Sequence, residues 1–382
     1  MEKLEWIYYP KMMESGGRGL YIHVPFCGVK CRFCHFATFP GLKRLAPRYL
    51  AALQKEMAFY TGKKIDTIFL GGGTPTVLEA EDLLNIFLWI ESNFDLSPGG
   101  EATVECNPES VTGPKWAALK RAGVGRVSLG LQAAQDRLLR ALGRAHTYAQ
   151  FESVWRQARS FGFCNMNVDL MFGLPSQTLE EWVETIERVL ELEPEHVSAY
   201  ALEVEEQTAF RSMGVKTDED LQAEMYSLLC EKMARAGYGH YEISNFAMPG
   251  FECRHNLKYW KQEPVLGLGP SAAGFENGIR WKNVERLEEY FARVENGLLP
   301  REEEPRLKKP EQIGEDLMLG LRLREGARVS AEADRLYGKA LRTFRDLGFL
   351  IFSPEASRAR LTREGWLVSN QIFRELLIPA AS

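Results

Sequence analysis

A chain of 382 residues with 45% hydrophobic content can bury a large core and has room for more than one domain. A formal net charge of −5, with both signs interspersed, argues against the concentrated basic face of a nucleic-acid binder. Seven cysteines, an odd number with three in one loop, argue against a secreted disulfide framework and fit a reducing cytoplasm. Met1 to Trp6 lacks the apolar run of a signal peptide, and the most apolar window, Ile86 to Ile90, is too short to span a bilayer, so no integral membrane segment is expected. Residues 1–18, with Gly16-Gly17, read as a loose leader.

A short apolar strand, Tyr21 to Val24, breaks at Pro25 and runs into a loop carrying Cys27, Cys31 and Cys34 at C-x3-C-x2-C spacing. Apolar periodicity then predicts a helix over 47–60, a strand over 65–70 ending in Gly71-Gly72-Gly73-Thr74-Pro75-Thr76, and a helix over 79–93. A strand over 101–106 precedes a helix over 115–122 closed by Gly123. A strand over 125–131 is followed by helices over 135–142 and 148–161. The series continues with a strand at 165–170, a helix at 179–192, a strand at 196–204 and a helix at 218–236. Six strand–helix units imply a parallel sheet with helices outside, an α/β fold read as a partial (β/α)6 barrel over 19–237. The cysteine loop, the glycines, Glu105 and Asn107, Gln132, Asp169 and Glu203 fall in or near the C-terminal ends of successive strands, the face where (β/α) barrels build their sites.

Residues 238–301 have another texture, rich in aromatics, Gly and Asn. The charged, Pro-bounded stretch 302–310 reads as a linker. In the small domain 311–382, helices are expected over 314–323, 330–336 and 338–347, then a hairpin from 349–352 and 358–361 before a last helix from Thr362. That order resembles a winged-helix module, read as a lid or docking domain rather than a nucleic-acid reader.

Thiolates are the preferred protein ligands of iron–sulfur clusters, and three in one loop leave one iron of a cubane open for a small molecule. Buried apolar cysteines or a structural zinc site are the alternatives on spacing alone. Glycines after the second strand let backbone approach a ligand; Glu105 suits an ammonium or ribose hydroxyls, Gln132 a carboxylate or ribose, Arg144 a carboxylate, and Asp169 adenosine hydroxyls.

The cysteine loop resembles the signature of the radical S-adenosylmethionine (SAM) enzymes. Tyr-Ile-His-Val-Pro-Phe-Cys, Gly-Gly-Gly-Thr-Pro-Thr, Glu-Cys-Asn-Pro-Glu, Arg126-Val-Ser-Leu-Gly-Leu-Gln, Leu142-Gly-Arg, Asn167-Val-Asp-Leu-Met-Phe-Gly-Leu-Pro and Tyr241-Glu-Ile-Ser-Asn-Phe-Ala-Met-Pro-Gly resemble the HemN/HemW branch of that superfamily from Leu20 to the C-terminus. The resemblance implies a 4Fe-4S cluster on Cys27, Cys31 and Cys34, with SAM chelating the open iron and cleaved by the reduced cluster to a 5′-deoxyadenosyl radical. It also implies an electron donor such as a flavodoxin or ferredoxin. By the same resemblance SAM contacts fall on Tyr21, Phe33, Gly72, Gly73, Thr74, Glu105, Gln132, Arg144, Asp169 and Glu203.

Within the branch, oxygen-independent coproporphyrinogen III oxidases typically continue the loop as C-x3-C-x2-C-x-C, and this chain has Phe36 at the last position. The branch's heme chaperones share its Cys-aromatic loop and a His-Asn-x-x-Tyr-Trp motif, matched by His255, Asn256, Tyr259 and Trp260, which that resemblance assigns to a heme site. The expectation is therefore a cytoplasmic chaperone with heme as cargo and heme-accepting proteins as partners. A propionate-decarboxylating oxidase, or a related radical methylase or heme-modifying enzyme, is the alternative. The chain departs from the branch pattern at Ser271-Ala272-Ala273-Gly274, where a histidine is usual at Ala273, at Ala133-Ala134 after Gln132, and at His35, where Asp is usual.

Overall fold

Alternation along the first strand sets the architecture. In β1 (Arg18–Val24), Leu20, Ile22 and Val24 are wholly buried among outer helices, while Tyr21 and His23 point to the opposite face. The structure, a computed structural model, describes residues 16–303, 305–353 and 357–377, so residues 1–15 of the expected leader lie outside the described residues. The same alternation recurs in β2 (Lys64–Gly72), β3 (Asp95–Cys106), β4 (Arg126–Gln132), β5 (Met166–Phe172) and β6 (His196–Ala201). These six pair in parallel in sequence order. Their outer faces pack on α1 (Ala46–Ala58), α2 (Ala80–Asn93), α3 (Gly113–Arg121), α5 (Tyr148–Ser160), α6 (Leu179–Leu190) and α7 (Glu219–Arg235), while the short α4 (Asp136–Leu142) joins a separate apolar cluster with Met171, Leu202 and Phe210. The six expected units are all present.

The region of different texture completes the sheet. Beyond β6 run the antiparallel strands β7 (Gly239–Glu242) and β8 (Asn245–Ala247). Then α8 (Arg254–Trp260) crosses to the other edge, where β9 (Val265–Leu268) lies parallel to β1. The antiparallel β10 (Ala273–Glu276) and β11 (Ile279–Asn283), the helix α9 (Leu287–Glu295) and β12 (Arg301–Glu303) follow. The result is one twelve-stranded sheet of order β12-β11-β10-β9-β1-β2-β3-β4-β5-β6-β8-β7, seven of its strands parallel.

The last part, α10 (Lys309–Leu321), β13 (Ala327–Arg328), α11 (Ala331–Asp346), β14 (Leu350–Ser353), β15 (Arg358–Leu361), α12 (Arg363–Leu367) and α13 (Ser369–Leu377), has its own core around Leu317, Leu341 and Ile372. Its three-stranded sheet carries the expected hairpin. One helix replaces the two expected on either side of Gly338. A Cβ there would stand 2.4 Å from Asp334 Oδ1 and 2.8 Å from Arg342 Nη1, the flexible ends of an exposed ion pair, so the glycine lies inside a continuous helix and marks no break. This unit docks on the barrel through the Arg280–Glu315 ion pair, Arg322 stacked 4.2 Å over Trp260, and a backbone bridge from Leu323 to Glu242. No helix among the described residues is long and apolar enough to cross a membrane.

Candidate functional site

The cysteine loop is fastened to the sheet by backbone bonds. The amide of Gly73 donates to the Val24 carbonyl at 2.8 Å and that of Thr74 to the Phe26 carbonyl at 2.8 Å. On the other flank, Arg32 N–H donates to Leu142 O at 2.9 Å, and Phe210 N–H to Arg32 O at 3.1 Å. Phe33 packs into a small apolar cluster with Leu138, Leu139, Leu142 and Phe210, so it anchors the loop between β1 and α4.

The three glycines answer crowding within the protein. A Cβ at Gly71 would meet Glu105 Oε2 at 2.7 Å, one at Gly72 (φ 104°) would meet His23 Nδ1 at 2.4 Å, and one at Gly73 would meet the Phe26 carbonyl at 2.5 Å. Gly72 N–H also donates to Glu105 Oε2 at 3.0 Å. The ledge thus seats a carboxylate below and the cysteine loop above.

Cys27, Cys31 and Cys34 are free thiols, all half-buried. Burial pushes the Cys27 thiol up to about 11, and the other two thiols add to the rise, so the three lie within electrostatic reach of one another. Cys34 is raised in the same way, first by burial. Two groups are placed to offset thiolate charge: Thr74 Oγ1 lies 3.4 Å from Cys27 Sγ, and Arg144 Nη1 donates to Cys31 Sγ at 3.6 Å. Among the described residues no three His, Cys, Asp or Glu side chains converge closely enough to hold a single ion. Thiolates of a cubane bind separate irons and stand further apart than the ligands of one zinc. An all-cysteine loop on the open face, with a cation at its rim, has the donor chemistry of an iron–sulfur centre.

Below the loop, Arg144 Nη2 donates to Asn107 Oδ1 at 2.8 Å and to Gly130 O at 2.9 Å, and Asn107 Nδ2 donates to Thr74 Oγ1 at 3.0 Å. Gln132 ends β4 with φ 75°, and its Nε2 lies 3.1 Å from where a Cβ on Gly130 would stand, against 3.2 Å for Arg144 Nη2. Asn107, Gln132 and Arg144 therefore meet at one glycine beside Cys31. Deeper, Asp169 accepts from Ser128 Oγ at 2.8 Å and Asn167 Nδ2 at 2.9 Å. Burial raises its carboxyl, and Glu105 is pushed up to about 7 by burial and then by the charge of Asp169. Tyr21, Glu105, Arg126, Ser128 and Asp169 line an inner cavity of about 180 Å³. Arg126 is only 2% exposed and its guanidinium makes no hydrogen bond among the described residues. Its parity with Ser128 and Gly130 on β4 was the available sign that it points inward.

The residues singled out on spacing divide here. Tyr21, Glu105 and Asp169 line the inner cavity, the three-glycine ledge with Thr74 lies above it, and Gln132 and Arg144 sit beside Cys31. Glu203 lies past the end of β6, which stops at Ala201 short of the expected 204, and is exposed away from either cavity. The aromatic motif forms α8, a plug inserted beneath the cavity. Glu101 accepts from the amides of Arg254 and His255 at 3.1 Å each, holding the helix's N-terminus with a carboxylate. His255, 1% exposed, stacks on Phe69 with centroids 5.2 Å apart. Its Nδ1 pairs with Thr67 Oγ1 at 2.9 Å and its Nε2 with Tyr259 OH at 3.3 Å. Burial, then Lys258, lowers its pKa to about 3, so it is neutral. His255, Asn256 and Tyr259 face the inner cavity, whereas Trp260 turns away to Arg322.

A second, larger cavity of about 450 Å³ opens between the cysteine loop and the β10–β11 hairpin. It is lined by Tyr21, His35, Phe36, Tyr259, Ala273 and Lys282, among others. Ligand sites commonly span about 300 to 1,000 Å³, so this cleft has room for a cofactor-sized molecule, whereas the inner cavity alone would enclose only part of one. Tyr21 and Tyr259 border both.

Comparison with known proteins agrees with this geometry. Residues 21–189 match the radical SAM superfamily model and residues 307–368 match the HemN C-terminal domain model. The chain is 34% identical over 370 residues to a heme chaperone HemW of Lactococcus lactis, covering 94% of this chain and 97% of that one. It is 36% identical over 380 residues to a heme chaperone HemW of Bacillus subtilis, covering 94% and 99%. Among solved structures it resembles coproporphyrinogen III oxidase (HemN) of Escherichia coli, with a TM-score of 0.83 at 21% identity over 97% of this chain and 91% of that one, a likeness of fold. Radical SAM proteins carry a 4Fe-4S cluster and SAM, and by its full-length similarity the chain belongs to the HemW family within that superfamily.

Proposed function

We propose that this protein is a heme chaperone that binds heme beside a radical SAM centre and passes it to acceptor proteins. The observation that carries the reading is the 34–36% identity to two heme chaperones along 94% of the chain. Phe36, at the position where an oxidase loop holds a further cysteine, supports it against the decarboxylase alternative.

In this reading Cys27, Cys31 and Cys34 hold three irons of the cluster, and the Arg144 guanidinium balances charge at Cys31. Such a cluster would supply one-electron reducing chemistry to SAM, and the three thiols with Arg144 are the residues that would hold and balance it. When bound, SAM would be held at the ledge of Gly72, Gly73 and Thr74, with Tyr21, Phe33, Glu105, Gln132, Arg144 and Asp169 as its contacts; Glu203, exposed past the end of β6, would approach it only from outside both cavities. Glu105, raised to about 7, and Asp169 take the ligand's hydroxyl or ammonium groups as acceptors. A flavodoxin- or ferredoxin-type donor supplies the electron. Residues 19–237 act as the SAM barrel, 238–301 as its plug and outer edge, 302–310 as the linker and 311–382 as a docking unit for partners. His255, Asn256 and Tyr259 form the floor that separates heme from the barrel interior. His255 contributes through this packing, since both of its ring nitrogens are engaged.

The test uses anaerobically reconstituted protein with SAM and reductant, split between hemin and coproporphyrinogen III. Stable heme absorbance, its transfer to an apo-acceptor and no decarboxylated product are expected. Conversion of coproporphyrinogen to protoporphyrinogen would overturn the chaperone reading in favour of the oxidase.

A further inference from the structure

Of the chain's six histidines, five are committed to the fold. His23 binds Tyr21 OH through Nδ1 at 3.0 Å and the Ala37 carbonyl through Nε2 at 2.9 Å. His146 is buried beside Glu109, with Nδ1 3.4 Å from the carboxylate; neither ring nitrogen makes a hydrogen bond among the described residues, and burial closes it to a ligand from solvent. His196 is fully buried between Asn167 and Tyr241, and His240 stacks on Phe246 and meets Trp366 edge-on. His255 is held by Thr67 and Tyr259. His35 alone is exposed, and neither of its nitrogens has a hydrogen-bond partner among the described residues; its one recorded contact is with the Phe36 ring, 4.7 Å between centroids.

His35 lines the 450 Å³ cleft. Next to it Phe36 is 56% exposed, an unusual placement for a large apolar ring beside an open cavity. Tyr21 and Tyr259 form aromatic parts of the same wall, and their hydroxyls are already paired with His23 and His255. Lys282 and Glu285 both line the cleft, with Nζ 3.8 Å from the carboxylate; the pair is loose and exposed, so an incoming propionate would compete with Glu285 for the ammonium. No cysteine or methionine lines the cleft. A free imidazole, apolar aromatic faces and a cation at the mouth together match a flat metallated macrocycle with an anionic edge.

We propose that His35 is the axial iron ligand for heme in this outer cleft, with Phe36 against the macrocycle and Lys282 on a propionate. This rests on the heme reading above and places the cargo on the cysteine-loop side of the Tyr21–Tyr259 wall, outside the barrel. A ring-nitrogen lone pair of His35 would fill an open coordination position of the ferric iron, with no change of oxidation state.

The experiment titrates ferric heme into the full-length, cluster-loaded protein and reads the Soret and visible bands and the electron paramagnetic resonance of the heme iron. Wild-type protein should show a histidine-ligated spectrum. His35→Ala and the bulkier His35→Gln should lose it and bind heme about tenfold or more weakly, as loss of a metal ligand demands. Added free imidazole should restore the ligated spectrum in His35→Ala, which a purely structural role for His35 would not produce. Iron and sulfide are assayed in parallel; a variant that has lost its cluster is compared with wild-type protein stripped of its own, so that cluster loss is not read as ligand loss. A wild-type spectrum and affinity in both His35 variants would overturn the ligand while leaving the heme reading standing. No heme binding by the wild-type protein would overturn both.

Discussion

Replacing Glu56 with Gln should change how stability depends on pH. Glu56, on α1, is wholly buried, and its hydrogen-bond donors are all uncharged. Its carboxylate accepts from the Gly269 amide at 2.8 Å, Asn283 Nδ2 at 2.7 Å and Tyr290 OH at 2.7 Å. It therefore ties α1 to the turn after β9, to β11 and to α9. Burial raises its carboxyl from 4.5 to about 7, and the three donors only partly oppose that. The folded protein thus keeps a proton that the unfolded chain releases between those values. The favourable contribution is full below 4.5 and is lost as pH rises through about 7. At about 1.4 kcal/mol per pH unit, the change across that window is roughly 3 kcal/mol. The amide introduced by Glu56→Gln has no proton to lose and keeps the side chain's shape. Urea unfolding of both proteins, followed by tryptophan fluorescence at several pH values from about 5 to about 8, gives the difference directly, and effects common to both cancel. Wild-type stability should fall relative to the variant as pH rises across this range and level off above it. Parallel curves would refute a buried, proton-retaining Glu56.

Cys31→Ala should lose the iron–sulfur chromophore; a normal iron content in that variant would sink the cluster assignment. Gly73→Ala places a Cβ 2.5 Å and 2.8 Å from the backbone carbonyls of Phe26 and Val24, atoms that cannot swing aside, so it should lower cluster reconstitution even though no ligand is removed. Lys258→Met leaves Asp66, its partner at 2.9 Å, and Glu263, at 2.8 Å, without their shared cation under α8. A loss of about 3–5 kcal/mol is expected, partly recovered by adding Asp66→Asn. Equal stability of wild type and Lys258→Met in denaturant would show that α8 is not held this way.

Much of this was legible because strand alternation is a local property. Leu20, Ile22 and Val24 against Tyr21 and His23 already separate the helix-facing side of β1 from its inner side, and the same parity places Glu105 and Asp169 in the interior. What escaped was non-local. The three glycines read as an opening for a ligand, whereas Glu105, His23 and the Phe26 carbonyl crowd them from elsewhere in the chain. The partners of His255 were likewise hidden, because the carboxylate that caps its helix, Glu101, and the hydroxyl that binds its ring, on Thr67, are more than 150 residues away in sequence. β9 was hidden for a similar reason: Val265–Leu268 is too short to announce a strand, and its partner β1 lies at the far end of the chain. Its pairing turns an aromatic segment of no evident order into the edge that carries the outer cleft.

The arrangement of fastenings around the cysteine loop bears on how a radical centre could be coupled to a cargo. Val24 and Phe26 are bound by the glycine ledge, Arg32 by α4 and the Phe210 segment, and Ala37 by His23. Between Arg32 and Ala37 the loop's one recorded backbone bond is internal, from Cys34 N–H to Cys31 O at 3.2 Å. The third cysteine therefore sits on the least tethered stretch, with His35 and Phe36 directly after it and turned to the cleft. His23 joins both sides, since its ring bridges Tyr21 on the inner wall to Ala37 at the end of that stretch. Tyr21, His23 and Ala37 thus form one hydrogen-bonded chain that runs from the wall shared by both cavities to the residue two positions past His35.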